Sequence, residues 1–271
     1  MSRHFRNAPL VELIVELRWD EGEGAPQVPA DGTMMPLPVS AFAEPTDFYR
    51  QFQIEADRIG YHNSEHLLPP GMPAVPGQVS RRFRVRADDP ILMQVGRDVF
   101  SVNALPPYRS WSTFSGKVRT AVEALIAARG ASGQLLPFTS ATIRYIDAFD
   151  SRFTQGRPAA EFITEVLGFA PRMPSAIADR ASAGTLNGVA LQYAFTTADG
   201  LRVQLSVGDG QAGASRAIVY DCVVGQFGII APDIDQVMRT LDAAHEVAHE
   251  MFLGVAEKLT DIMEPEEGAA V

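Results

Sequence analysis

The chain has 271 residues, is 46% apolar and carries a formal net charge of −10. It therefore reads as a folded protein with one or two buried cores rather than a disordered one. The acidic balance does not favour nucleic-acid binding, which usually shows a basic footprint, although RRFRVR at 81–86 is a local basic run. No apolar run approaches the roughly 20 residues of a membrane helix, the start MSRHFRNAP reads as no secretion signal, and the single cysteine, Cys222, excludes an intrachain disulfide. These features point to the cytoplasm.

VELIVELRW (11–19) alternates apolar and polar residues and predicts a strand, closed by the acidic, Gly-rich DEGEGAP. A Pro- and Gly-rich loop follows to residue 45. TDFYRQFQIEADRIG (46–60) predicts a helix, with a Thr-Asp cap and with Phe48, Phe52, Ile54 and Ile59 mostly at helical spacing. The prolines of 62–77 predict a loop. RRFRVRA (81–87), ILMQVG (91–96) and DVFSVNAL (98–105) predict three strands separated by short turns. SWSTFSGKVRTAVEALIAARG (110–130) predicts a long helix with Trp111, Phe114, Val118, Val122, Leu125 and Ile126 on its apolar face and a Gly at its end.

The pattern then recurs. ATIRYIDAFD (141–150) predicts a strand and RPAAEFITEVLG (157–168) a helix. GVALQYAFTT (188–197), LRVQLSVG (201–208) and RAIVYDCVVG (216–225) predict three strands, and 232–263 a long final helix. Each half runs strand, helix, three strands, helix. Element order and spacing thus predict an α+β fold by tandem duplication of that unit, with residues 1–135 as the first repeat and 136–271 as the second, ending in an acidic tail. Each repeat is expected to form its own antiparallel sheet backed by a long helix. The two sheets can join edge to edge, because that covers two open edges at once.

NAPLVELIVELRW, LMQVGRDVFSVNALPPYRSWSTF (92–114), RYID (144–147) and a late helix with His followed by Phe resemble a sporadically distributed prokaryotic protein family. The resemblance spans nearly the whole chain, and its most specific block is Gln94, Asn103, Tyr108, Trp111 and Phe114. The family has no assigned biochemical function, so it implies no catalytic residues. It implies a stand-alone bacterial protein carried on mobile or defence-associated loci. The basic residues agree with a GC-rich bacterial genome, since Lys117 and Lys258 are the only lysines.

HEVAH (245–249) has the spacing of a helical zinc-hydrolase motif. On a wheel of the final helix, Ile234, Val237, Leu241, Ala248, Phe252, Val255 and Leu259 form one stripe, His245 lies about 40° from its centre and His249 on its flank. Asp235, Arg239, Glu246, Glu250 and Glu257 take the far side. A catalytic zinc usually needs a third protein ligand. The position six after His249 is Val255, and Glu264, Glu266 and Glu267 sit in the acidic tail. His245 and His249 therefore read as a core-edge residue and a solvated one, not as ligands. His62 and His66 repeat the i, i+4 spacing in a Pro-rich region, and spacing alone fixes no metal geometry.

Cys222, in the middle of a strand, reads as a buried structural thiol. VGDGQAGAS (207–215) lacks the phosphate-loop pattern and reads as a hairpin turn. Tyr108, Trp111 and Phe114 read first as packing where strand meets helix, and otherwise as an aromatic pocket with Asn103 and Arg144 as polar walls. Arg144, in an otherwise apolar strand, reads as paired with a carboxylate before it reads as an anion site.

No catalytic set and no cofactor fingerprint emerges. The expected function is that of a non-enzymatic binding or regulatory protein acting through a protein partner, which includes a second copy of itself. The alternative is a small-ligand-binding protein or enzyme using a cleft between the repeats, with the ligand residues drawn from Arg144, Asn103, Tyr108 and Trp111. A zinc hydrolase on HEVAH is the least supported variant.

Overall fold

A computed structural model describes residues 5–20, 46–69, 72, 74–133, 135–170, 174–178, 180 and 188–265. The Pro- and Gly-rich stretch 21–45 and the tail residues Glu266 and Glu267 lie outside the described residues. The strands are β1 (Leu10–Trp19), β2 (Asn63–His66), β3 (Val79–Arg84), β4 (Ile91–Gly96), β5 (Val99–Ala104), β6 (Phe138–Phe149), β7 (Ala190–Thr196), β8 (Arg202–Ala212) and β9 (Ser215–Ile230). The helices are α1 (Thr46–Arg58), α2 (Trp111–Ala131), α3 (Ser151–Thr154), α4 (Ala159–Glu161), α5 (Ser175–Ala178), α6 (Ile234–Val255) and α7 (Thr260–Met263).

The expectation of two antiparallel sheets, each backed by its own long helix, is overturned. The strands form one nine-stranded antiparallel sheet in the order β2-β3-β4-β5-β1-β6-β9-β8-β7. The physical reason is edge protection: β1 and β6, each an open edge if the sheets stood apart, are neighbours inside one sheet. By packing, the chain forms two compact units. Unit 1 comprises residues 1–13, 144–224 and 243–271, and unit 2 comprises 14–143 and 225–242. Each unit draws on both the 1–135 and the 136–271 halves.

Several boundaries also differ from expectation. Strand β2 lies in the region read as a loop at 62–77, because its residues pair with β3 as Asn63 with Arg84 and His66 with Arg81. The helix read at 157–168 is α4 followed by a π-helical turn at Phe162–Val166. The final helix stops at Val255, and a 3-10 turn at Glu257–Leu259 separates it from α7. Gly130 lies within α2, and the left-handed glycine that follows the helix is Gly133 (φ +74°).

Unit 2 has an aromatic core. Phe52 of α1 packs edge-on against Phe83 of β3 (5.1 Å between centroids) and Phe100 of β5 (5.6 Å). Trp19 at the end of β1 meets Phe48 (5.8 Å) and Phe138 (6.4 Å). Helix α2 starts where the Ser110 side chain accepts the Thr113 N–H (3.2 Å). It is held to the first half of α6 by Trp111 Nε1 donating to Asp242 (2.8 Å) and by Arg119 paired with Asp235 (2.9 Å).

Unit 1 has a second core. Phe149 at the end of β6 packs against Phe153 (5.6 Å) and Phe162 (5.7 Å). Phe252 of α6 meets the Tyr220 ring of β9 (6.4 Å). The wheel of the last helix is largely realised: Val237, Leu241 and Ala248 are buried, and Asp235, Arg239, Glu246 and Glu250 are exposed. No helix among the described residues is long and apolar enough to cross a membrane.

Candidate functional site

Strand β6 divides the polar chemistry of unit 1 between two faces. Successive side chains of a strand point to opposite sides. Tyr145, Asp147 and Phe149 therefore share the core-facing side, and Arg144 points the other way, exposed.

On the core-facing side, the Tyr145 hydroxyl lies 2.6 Å from His245 Nδ1. The His249 ring stacks on that of His245 at 5.5 Å and 23°. His245 thus has the hydroxyl partner that a half-buried imidazole requires. His249 is half-buried rather than solvated, because a helix carries residues i and i+4 on one face and the neighbouring ring covers it. Among the described residues, no group of three His, Cys, Asp or Glu side chains could hold a metal ion. His62 is exposed and sits 3.5 Å from Asp57, and His66 is exposed on β2. A double-mutant cycle over Tyr145→Phe and His245→Ala should show coupling of about 1 kcal/mol in urea melts, the net worth of one hydrogen bond. Additive losses would show that the contact contributes nothing.

The same face buries a polar group that no motif announces. Asp147 is 3% exposed, and its Oδ2 has no hydrogen-bond partner. Desolvation pushes its carboxyl up to about 8, so it is largely protonated at neutral pH. Tyr220 and Cys222, two apart on β9 and both buried, face this carboxyl's field. Burial first, and the neighbouring acids after it, push the Tyr220 phenol far above its ordinary range. Burial likewise pushes the Cys222 thiol up to about 12, so it is not a thiolate nucleophile. The Tyr220 hydroxyl has the weakly bonding Cys222 thiol as its neighbour and no stronger hydrogen-bond partner.

On the opposite face, Arg144 forms a bidentate pair with Asp221 of β9, Nε to Oδ1 at 2.8 Å and Nη2 to Oδ2 at 2.5 Å. The pair sits in the wall of an open cavity of about 550 Å³, beside Gln192, Gln204, Ser206 and Val223. The register β7 to β8, with Gln192 opposite Ser206 and Ala194 opposite Gln204, puts these four on one face. The cavity thus presents amides, a hydroxyl and an internally neutralised ion pair beside the apolar Tyr193, Ala194, Leu205 and Val223. No histidine or cysteine lines it.

The other residues named from the sequence lie in unit 2. Asn103 is 4% exposed on β5, where its Oδ1 accepts from the Ser101 hydroxyl (2.7 Å). Tyr108 and Trp111 both pack edge-on against Phe114 (6.2 and 6.0 Å), and Trp111 also donates to Asp242. These contacts pack the start of α2 and tie it to α6.

Sequence reading missed Asp147, Gln192, Gln204 and Ser206. A parity count along ATIRYIDAFD would have found the first, since Asp147 is in step with Ile143 and Phe149 rather than with Arg144. The other three are polar positions of alternating strands and carry no signal of their own.

No protein-family model matches the chain, and no curated protein matches it. Among solved structures, it is similar to the crystal structure of the di-domain ARO/CYC StfQ from the steffimycin biosynthetic pathway, at 10% identity and a TM-score of 0.21 over 82% of this chain and 95% of that one.

Proposed function

We propose that this chain is a non-catalytic binding protein that acts through a protein partner, engaged at the Arg144–Asp221 cavity of unit 1. The observation that carries this reading is the chemistry of the cavity: donors and acceptors in quantity, with its one cation already neutralised by a bidentate carboxylate. Small-molecule sites are enclosed and mostly apolar. This one lies open on a strand face, with Tyr193, Leu205 and Val223 among its polar groups, the mixed surface that a protein interface presents. The family resemblance supplies a setting, a bacterial protein of mobile or defence-associated loci, and makes the product of the adjacent gene the first partner to test.

The test is calorimetry of the purified chain with that gene product, and with any protein recovered by crosslinking in native extract. Gln204→Arg and Ser206→Arg lie on exposed or half-exposed strand positions. Each should weaken binding at least tenfold, roughly 1.4 kcal/mol or more, with the thermal midpoint little changed. Binding indifferent to both variants sinks the reading.

One observation favours a second reading, a small-ligand protein: Asp147 Oδ2 is buried without a partner, which a bound polar molecule would satisfy. Native mass spectrometry of freshly isolated protein, showing a stoichiometric non-protein adduct, would favour it.

A further inference from the structure

We infer that β7 is a self-pairing edge, at which two copies of this chain join β7 to β7 about a two-fold axis centred on Tyr193. The seam places the second copy's β7 against the Arg144–Asp221 cavity, so each copy extends the other's site; this last consequence rests on the binding role proposed for that cavity.

The contrast between the two ends of the sheet carries the argument. Edge strands are usually blunted by shortness, charge or proline. Strand β2, at one end, follows this rule: it has four residues, NSEH, all exposed, with Glu65 paired to Arg82 (3.4 Å). Strand β7, at the other end, does not. Its seven residues, ALQYAFT, carry no charge and no proline, and Tyr193 and Phe195 are 41% and 47% exposed. Among the described residues, no strand pairs with its outer side.

The hydrogen bonds fix which backbone groups face outward. Thr197 N donates to Leu201 O (2.8 Å), and Asp209 N donates to Val189 O (3.1 Å). The odd-numbered residues from 189 to 197 therefore turn their N–H and C=O groups to β8. Antiparallel alternation turns those of Ala190, Gln192, Ala194 and Thr196 outward.

A second copy meets these groups in register. Centring on Tyr193 pairs Gln192 with Ala194 and Ala190 with Thr196 at hydrogen-bonded positions. It pairs Tyr193 with Tyr193 and Leu191 with Phe195 at the close, non-hydrogen-bonded positions, where side chains pack best. Every outward donor finds an acceptor, and no like charges meet. A two-fold axis normal to the sheet keeps both cavities on the same face. Gln192, which lines the cavity, then lies across the seam from Ala194 of the second copy. Seven residues a side is small for an interface, so the dimer should be weak, on the order of micromolar.

Sedimentation equilibrium of the intact chain tests this. The expected result is a reversible monomer–dimer equilibrium that tightens with added salt, because two chains of net charge −10 repel each other beyond the uncharged seam. Ala194→Pro removes an outward N–H and leaves the β8 ladder intact, so it should give a folded monomer with unchanged circular dichroism. If that variant fails to fold, Tyr193→Lys, which sets two like charges face to face, should give the same monomer. A wild-type chain that stays monomeric at its highest soluble concentration overturns the inference, as does a dimer that survives either substitution. Gln204→Arg should dimerise normally while losing the protein partner. A monomeric wild type that still binds the partner through Gln204 would defeat the self-pairing and spare the binding role.

Discussion

Asp147→Asn is expected to stabilise the protein at neutral pH, by an amount that grows as pH rises. The Asp147 carboxyl is buried without a partner for Oδ2, and desolvation pushes it from an ordinary value of 3.8 up to about 8. Below 3.8, the folded and unfolded states both hold the proton, and the group costs nothing by ionisation. Between 3.8 and about 8, the unfolded chain loses the proton while the folded one keeps it, so stability falls as pH rises through this window. Above about 8, both states are ionised and the cost is constant. Asparagine keeps the shape and never ionises. The difference between wild type and variant in urea melts should therefore be small near the acid end of the window and reach on the order of 2–5 kcal/mol at its upper end. Tyr220→Phe, which deletes a buried hydroxyl whose neighbour is only the weakly bonding Cys222 thiol, should be close to neutral at either pH. A wild-type-minus-Asn difference that does not change with pH would mean that Asp147 is already ionised or already satisfied.

Arg129→Ala should be among the most damaging substitutions in unit 2. Arg129, in the last turn of α2, is 0% exposed. Its guanidinium lies over the rings of Trp19 (4.6 Å) and Phe138 (4.8 Å), and Nη2 donates to the Leu136 carbonyl (2.8 Å). The charge is thus held by two π faces and a carbonyl, at a helix C-terminus whose dipole favours a cation. Alanine removes these contacts and leaves a large cavity beside Trp19. The expected loss is about 3–5 kcal/mol, the range for large-to-small changes in a core. Lysine should recover little, since an ammonium cannot lie flat between two rings while reaching the carbonyl. Methionine should recover more, because it fills volume without a charge to desolvate. Denaturant melts of the three variants give the order directly, and an alanine variant within about 0.5 kcal/mol of wild type would place Arg129 among ordinary surface residues.

Both residues owe their burial to the tertiary fold, and that separates what could be read in advance from what could not. The alternation of VELIVELRW, the short apolar run of ILMQVG, and the 3.6-residue spacing of the two long helices are local signals. They are realised as β1, β4 and α2 to within a few residues, and as α6 for the larger part of the expected 232–263, the helix ending at Val255. The two faces of α6 were legible for the same reason, and with them the half-buried setting of His245. HEVAH follows from a helix that needs one apolar stripe, and His245 fills its place with the Tyr145 hydroxyl.

Tertiary structure decided the rest, because it depends on pairings that no local pattern encodes. Whether the strands make one sheet or two turns on β1 lying beside β6, a hydrogen-bonded neighbourhood between distant segments. The carboxylate expected for Arg144 lies 77 residues along the chain, at Asp221. Asp147 looks like any strand acid until packing buries it beside Tyr220 and Cys222 of β9, and only then does the loss of water raise its proton affinity. Residue order thus determined which segments are strands and helices and which faces are apolar. Long-range packing decided which polar groups lose their water, and so the pH response, and which strands lie side by side, and so the candidate site.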